Sequence, residues 1–408
     1  MRRLWLSLLL LLSAGLLAAG WYAYDRGFTR KWRGYVAAEF RKRGVELQVS
    51  RLTLQPFRGI VAKEVKIFDA RDRRRVLAQI DEMRLVINWA NLAQGKTFLD
   101  AMELREATLS LPVDPKNPGG EKIEITGLGG LLFFPPQQVY LSRLEADLRG
   151  VHVSASGRLI NPQKWRASRK EGPDWNALAG PAAAVFEQWR AMKFFGTPAE
   201  LHLHFSGDLA QPDTLTAELT LWGEKASWNG VPLEKLYLAA NFRNESIEVK
   251  QLTASDAAGA LQISGQYELA QQRATFTLRS NLDVTPWVRA FALQPEFAQF
   301  ATSAPPTIEL TARVAFDPEP RFHVVGHVSA PRFSYAGTQF EGGAGDFSWD
   351  GGRWSARDVH IVHGSGELTG DILQLEGKLH TRLKNTIPPE VLRPLLTGAA
   401  AEWLGEGS

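Results

Sequence analysis

The sequence predicts a mainly β protein: an N-terminal transmembrane helix, then antiparallel strands built by repetition, with a few short helices. Three observations predict it. The run from Leu4 to Tyr24 carries no charge over 21 residues, close to the ~20 that cross a bilayer core as a helix. From Val45 onward apolar residues recur with period two rather than 3.6, the pattern of half-buried strands. Two stretches return about 105 residues apart, the mark of a repeated unit.

Composition bounds the rest. A chain of 408 residues, 44% hydrophobic and 22% charged, can bury a large core, which excludes global disorder. Lys and Arg number 47 against 44 Asp and Glu, and the basic clusters RKWR and RDRRR are short, so nucleic acid is not the natural partner. The absence of cysteine removes disulfides, thiolate nucleophiles and zinc–cysteine sites. No cofactor is expected.

Residues 1–25 form the predicted anchor. Arg2 and Arg3 precede the span, and Trp5, Trp21, Tyr22 and Tyr24 lie toward its ends, where amphipathic rings favour the interface. Ala18-Ala19-Gly20 also suits signal cleavage, so a retained anchor and a cleaved signal are both compatible. The length favours the anchor, because a signal's apolar core runs to about 7–15 residues. Arg26, Arg30, Lys31 and Arg33 after the span pull toward a cytoplasmic carboxyl part. The signal-like start and the lack of cysteine pull the other way, and the predicted location is the inner membrane, single-pass, with the bulk of the chain in the periplasm.

Residues 26–44 are predicted to hold a juxtamembrane helix. In FTRKWRGYVAAEFRKR, Trp32, Tyr35, Val36 and Phe40 fall near one face, and Gly44 can close the helix. Two readings fit: a linker helix lying on the first sheet, or a basic helix on a membrane surface.

Residues 45–162 form a first β region. VELQVSRLTLQ sets Val45, Leu47 and Val49 against Glu46, Gln48 and Ser50, and KEVKIFDA, EMRLVINW and ATLSLPVD follow suit. Residues 163–198 read as a helical or loop insertion. Residues 199–303 and 304–408 read as two β units, the second ending in a short helix. LHLHFSGDL places Leu201, Leu203 and Phe205 on one face, and ATFTLRSNL does so for Phe276 and Leu278. Asp350-Gly351-Gly352 predicts a hairpin pairing Trp349 with Trp354, and Asn244-Glu245-Ser246 another. Helices are expected near Ala182–Met192, near Thr285–Phe300 with Pro286 in the first turn, and near Pro389–Leu404.

The repeat joins LRSNLDVTPWVR (Leu278–Arg289) to LKNTIPPEVLR (Leu383–Arg393). Much the same offset brings LTASDAAGALQISGQYEL onto VHIVHGSGELTGDILQL, with Gly265 over Gly370. Arrays of such units grow by stacking in one direction.

Catalytic signals are weak, and no enzyme is expected. His202 and His204, His323 and His327, and His360 and His363 lie on what read as wet strand faces, away from any metal-ligand geometry. The runs Gly127–Gly130 and Gly342–Gly345 lack the helix and lysine of a phosphate loop. Glu39, Asp81 and Asp350 show no paired-carboxylate spacing. Phe133-Phe134-Pro135-Pro136 is an apolar loop, suited to plugging a sheet edge or to touching a membrane or partner.

The stretches GVELQVSRLTLQPFRGIVAKEVKIFDA and AQIDEMRLVINWANLAQGKTFLDAMELREATLSLP, with the anchor and the repeated G-x-L-x-x-S/T-G strands, resemble the AsmA-like group, including its TamB and YhdP types. The resemblance is architectural and carries no catalytic motif. It implies an inner-membrane-anchored periplasmic protein of cell envelope biogenesis, whose elongated, curved β-sheet forms a taco-like groove conducting phospholipid acyl chains toward the outer membrane. The lining would then be Leu201, Leu203, Phe205, Leu219, Leu221, Leu238, Phe242, Phe276, Leu278, Phe322 and Val324. Two acyl chains hold about 30 methylenes at ~0.8 kcal/mol each, so a continuous apolar surface saves more than ~20 kcal/mol over passage through water. On pattern alone these residues are equally the core of a closed sandwich. A non-transporting scaffold with outer-membrane or envelope protein partners, or an outer-membrane protein assembly factor, is the alternative within the group. A hydrolase of envelope glycan or lipid is a more distant one.

Overall fold

The computed structural model describes residues 30–42, 46–55, 59–68, 76–96, 98–112, 122–162, 190–283, 286–287, 300–316, 321–375 and 378–392. The predicted span Leu4–Tyr24, most of the predicted insertion and most of the last two predicted helices lie outside them. Among the described residues no helix is long and apolar enough to cross a membrane.

The chain is mainly β. In order it forms α1 (Arg30–Lys42), β1 (Glu46–Gln55), β2 (Gly59–Phe68), β3 (Val76–Ile87), α2 (Trp89–Ala93), β4 (Leu99–Pro112), β5 (Lys122–Phe133), β6 (Gln138–Leu148), β7 (Val151–Ile160), β8 (Met192–Phe194), β9 (Ala199–Asp208) and β10 (Gln211–Trp228). It continues with β11 (Val231–Arg243), β12 (Ser246–Ser255), β13 (Ala260–Glu268), β14 (Arg273–Ser280), β15 (Phe300–Thr302), β16 (Thr307–Ala315), β17 (Arg321–Ala330), β18 (Phe333–Tyr335) and β19 (Thr338–Phe340). Last come β20 (Gly342–Asp350), β21 (Arg353–His363), β22 (Gly366–Leu375), β23 (Lys378–Asn385) and α3 (Pro389–Leu392). Twenty strands belong to one hydrogen-bonded sheet, and β15, β18 and β19 form a second. The chain divides into two compact units, 1–189 with 200–217 and 190–199 with 218–408.

In the first unit β1 to β7 pair antiparallel in sequence order. β9 departs from the predicted antiparallel rule. Ser154 bonds His202 and Ser156 bonds His204, both 48 residues on, and Asn161 bonds Asp208, 47 on. A nearly constant offset means that β7 and β9 run parallel, which makes the sheet mixed. Such a pair needs a long crossover, and residues 161–198 supply it.

The core of this unit lies under α1. Val36 and Phe40 pack onto Leu47, Val49, Leu52, Ile60, Ala62, Val65, Ile80, Met83 and Leu85. Of the two readings of this helix, the structure shows the one lying on the first sheet. Arg41 forks onto Glu46 at 2.8 and 2.9 Å, tying its last turn to the start of β1.

The core residues change parity within each strand: Leu47 and Val49 give way to Leu52, Ala62 to Val65, Ile80 to Met83. The change falls on one row across four strands, Ser50, Glu64, Asp81 and Glu106, each missing from an otherwise continuous register. Glu64 and Glu106 are left-handed, with φ of 52° and 48°. At this row each strand carries two successive polar residues, so the apolar set stays on one face on both sides of it.

In the second unit β11, β12, β13, β14, β16, β17, β20, β21, β22 and β23 pair antiparallel in that order. The predicted hairpins have two-residue turns with both residues left-handed, Asn244-Glu245 (φ 51° and 53°) and Gly351-Gly352 (φ 55° and 92°). Their twist matches that of the strands. Trp349 is the cross-strand partner of Trp354.

The repeated stretches carry the same clasp. Asn281 and Ala260 exchange two bonds: the Asn281 N–H donates to the Ala260 carbonyl at 3.0 Å and the Ala260 N–H to Asn281 Oδ1 at 2.7 Å. Thr386 and Glu367 repeat this at 2.8 Å each, with Thr386 Oγ1 as the side-chain acceptor. Each clasp is followed by a buried aliphatic residue, Leu282 or Ile387. The correspondence is 105 residues for Asn281 and Thr386 but 107 for Ala260 and Glu367. Residues 269–272 join β13 to β14, whereas 376–377 suffice between β22 and β23. Gly366 therefore answers Gly259, and Gly370 answers Ile263 rather than Gly265.

Candidate functional site: the apolar face of the second unit

Register assembles a continuous apolar face. One row runs Phe242, Ile247, Tyr267, Ala274, Val314, Phe322, and the next runs Ala240, Val249, Gly265, Phe276, Ala312, Val324, Trp349, Trp354. A third runs Leu238, Leu252, Ile263, Leu278, Leu310, Gly326, Phe347, Ala356, Ile372. Three rows over so many strands carry no acidic or basic side chain; Tyr267 supplies their one hydroxyl. Bulges at Val249/Leu252 and Ala356/Val359 each take up one extra residue, so the face continues past the polar pairs Lys250-Gln251 and Arg357-Asp358.

Glycines on this face meet rings. Phe276 stands opposite Gly265 and Phe347 opposite Gly326; the Phe347 ring occupies the space that a Cβ at 326 would need, and at 265 the Phe276 Cβ and the Thr275 carbonyl do so. Such pairing recovers packing where a strand glycine leaves a gap.

The two ends of the face differ. At the end of the clasps it is closed: Ala254, Leu282, Ala330, Phe340 and Ile387 are buried. The small sheet covers part of this end, with Phe333 over Gly343 and stacked at 4.9 Å on Phe340. At the hairpin end it is open, with Trp349 43%, Trp354 37%, Phe322 37%, Phe316 42% and Leu379 58% exposed. Phe322 and Trp349 stack at 5.8 Å, and Tyr267 meets Phe316 edge-on at 5.7 Å. Exposed Arg243, Arg273, Arg321, Arg353 and Lys378 stand at the same strand ends, with Glu245, Glu268 and Asp350 the acidic residues among the described ones.

The opposite face is polar and ordered in rows. Ser264, Thr277, Thr311, Val325, Ser348 and Ser355 form one, with Ser264–Thr277 bonded at 2.9 Å and Ser348–Ser355 at 2.8 Å. A charged row beside it alternates Arg279, Glu309, His327, Asp346, Arg357. Its contacts are Arg279–Glu309 at 3.7 Å and His327–Asp346 at 2.6 Å.

The register unites six of the eleven sequence-predicted lining residues, Leu238, Phe242, Phe276, Leu278, Phe322 and Val324, on the apolar face. Leu219 and Leu221 belong to the same unit on β10, where Leu221 is buried and Leu219 half-buried. Leu201, Leu203 and Phe205 belong to the first unit. They share the face of β9 opposite His202 and His204, and Phe205 fills the space beside Gly157. Sequence reasoning missed the open-end residues Phe316 and Leu379 and the small sheet. Phe316 lies just past the end of β16 and Leu379 near the start of a strand rich in basic residues, so neither shows in an alternation count.

His202, His204, His323, His327 and His360 lie on polar strand faces, whereas His363 shares the face of Ile361 and meets the Phe340 ring edge-on at 5.7 Å. His202 and His204 bond serines of β7, His323 lies 3.6 Å from Asp350, His360 lies 3.4 Å from Glu367, and His363 Nδ1 bonds the Gln339 carbonyl at 2.7 Å. Among the described residues no three His, Asp or Glu side chains are grouped to hold a metal. No known protein family, curated protein or solved structure matches the chain.

Proposed function

We propose that the chain binds or conducts phospholipid along an apolar β groove toward the outer membrane, as an inner-membrane-anchored periplasmic protein of the AsmA-like kind. The observation that carries the reading is the uncharged face of the second unit, open along one end and fringed there by aromatic side chains and by charged ones of which more are basic than acidic among the described residues. The elongated, curved, taco-like form belongs to this proposal, as do the retained anchor and the periplasmic site.

The chemistry is that of an amphiphile. Acyl chains replace water on the apolar rows at ~25 cal/mol per Å². Indole and phenyl rings suit the boundary between chain and headgroup. Arg243, Arg273, Arg321, Arg353 and Lys378 supply donors for a phosphate at the rim. The reading needs no catalytic group: the residues hold chains by contact and let them slide.

Native mass spectrometry with lipid extraction, on protein purified in mild detergent, tests it. Bound phospholipid in the wild type, lost from Phe276→Asp and Leu278→Asp proteins of unchanged thermal stability, supports the reading. A lipid-free wild type of equal stability reduces the face to an ordinary core and leaves a non-transporting envelope scaffold in front.

A further inference from the structure

β23 carries a second kind of surface. Among the described residues it pairs with β22 alone, and all eight of its residues, Lys378–Asn385, are exposed. Its equivalent in the first copy of the repeat, β14, is flanked on both sides. β16 covers the second edge of β14 over eight register pairs, from Arg273↔Ala315 to Ser280↔Ile308. The same strand, clasped in the same way by Asn281 in one copy and Thr386 in the other, is thus internal once and, among the described residues, an edge once.

The edge has a definite chemistry. Lys378, His380, Arg382 and Lys384 alternate with Leu379, Thr381, Leu383 and Asn385. The basic set points to the polar face, since its cross-strand partners include Asp371 and Thr369, and Leu379 and Leu383 continue the apolar face. Lys384 corresponds to Arg279, which meets Glu309 of the covering strand at 3.7 Å. A row of basic residues repels a second β23: pairing the strand with itself antiparallel sets Lys378 against Lys384 and His380 against Arg382. It matches a strand with acidic residues on the polar side and apolar residues on the other.

We propose that the edge of β23 is a docking site for an extended segment of a partner protein, in which apolar and acidic residues alternate. The segment adds as an antiparallel strand in the place that β16 holds on β14, with backbone bonds supplying affinity and the acidic row fixing face and register. The test contains no lipid, and the residues it alters, Arg382 and Lys384, have no part in the proposed lipid face.

The probe is a fluorescent peptide of the β16 segment Thr307–Ala315 carrying Thr311→Glu and Arg313→Glu, titrated against the full chain in detergent and read by anisotropy. Saturable binding is expected, weakened about tenfold or more when the protein carries Arg382→Glu with Lys384→Glu, and weakened by added salt. The substituted side chains are exposed, and an unchanged melting temperature confirms the fold. Should the double variant unfold, the salt dependence and the single variant Lys384→Glu decide. Equal binding of a peptide with lysines at positions 309, 311 and 313, or binding indifferent to both charge reversal and salt, overturns the proposal. So does concentration-dependent self-association of the chain abolished by the same reversals.

Discussion

Phe347 stands directly opposite Gly326 across the β17–β20 pairing, and its ring lies 2.8 Å from where a Gly326 Cβ would be. The Glu309 carbonyl lies 2.5 Å from the same point. The ring can turn aside but the carbonyl belongs to the backbone. Gly326→Ala is therefore expected to cost about 1–3 kcal/mol, the range for overpacking. Pairing it with Phe347→Leu should recover only part of that. Urea unfolding of the three proteins measures it, and full recovery by the second substitution would contradict the role given to the carbonyl.

The alternation of apolar and polar residues made much of this fold legible. The hairpins at Asn244-Glu245 and Gly351-Gly352 and the helix carrying Val36 and Phe40 follow from local chemistry, because a left-handed turn or a capped apolar stripe is written in adjacent residues. The phase changes are also written there: Ser50-Arg51, Lys63-Glu64, Asp81-Glu82 and Arg105-Glu106 are polar pairs where strict alternation expects one polar residue. The parallel pairing of β7 with β9 was not legible, because it depends on residues nearly 50 apart in the sequence. Nor was the difference between the closed and open ends of the apolar face. Phe333 covers Gly343 through a three-residue strand too short to signal itself.

The clasps predict equal and additive effects. Asn281→Ala and Thr386→Val each remove one side-chain acceptor from a backbone N–H, at a cost of about 1 kcal/mol. β14 and β23 lie six strand spacings apart, roughly 29 Å at ~4.8 Å each, so the double variant should lose the sum. Chemical denaturation that shows coupling between them would mean that the two copies do not act as separate clasps.

Glu103 gives a pH dependence with a definite sign. The Arg105 guanidinium, bonded at 2.7 and 2.9 Å, holds the Glu103 carboxyl below the ordinary glutamate value of 4.5; partial burial opposes this, and Arg84 at 3.4 Å assists. A lowered value in the folded chain stabilises it above the ordinary one, and that stability is lost as pH falls through the lowered value. Glu103→Gln should cost a few tenths of a kcal/mol at neutral pH, as befits a partly exposed pair. Melting temperatures of wild type and variant should converge as pH falls from 4.5 through the lowered value, and a gap that persists at the acid end of that range would assign the effect to packing instead.

The basic rim gives a prediction about headgroups. Replacing Arg321 and Arg353 by Gln removes two donors from exposed positions and leaves the apolar rows intact. Retention of anionic phospholipid should fall severalfold, while retention of a neutral diacylglycerol should change little. Extraction and mass analysis of lipid bound to the two proteins checks this, and equal losses of both lipids would remove the rim from headgroup binding.

Thr277 and Leu278 are neighbours on β14 that point to opposite faces, the first to the hydroxyl row and the second to the apolar one. A photoreactive phenylalanine analogue placed at each in turn, illuminated in membranes containing labelled phospholipid, tests the central claim most directly. Lipid adducts at position 278 with none at 277 are the predicted result. Equal labelling at both, or none at 278 in a folded protein, would contradict the assignment of the apolar face as a lipid-holding surface.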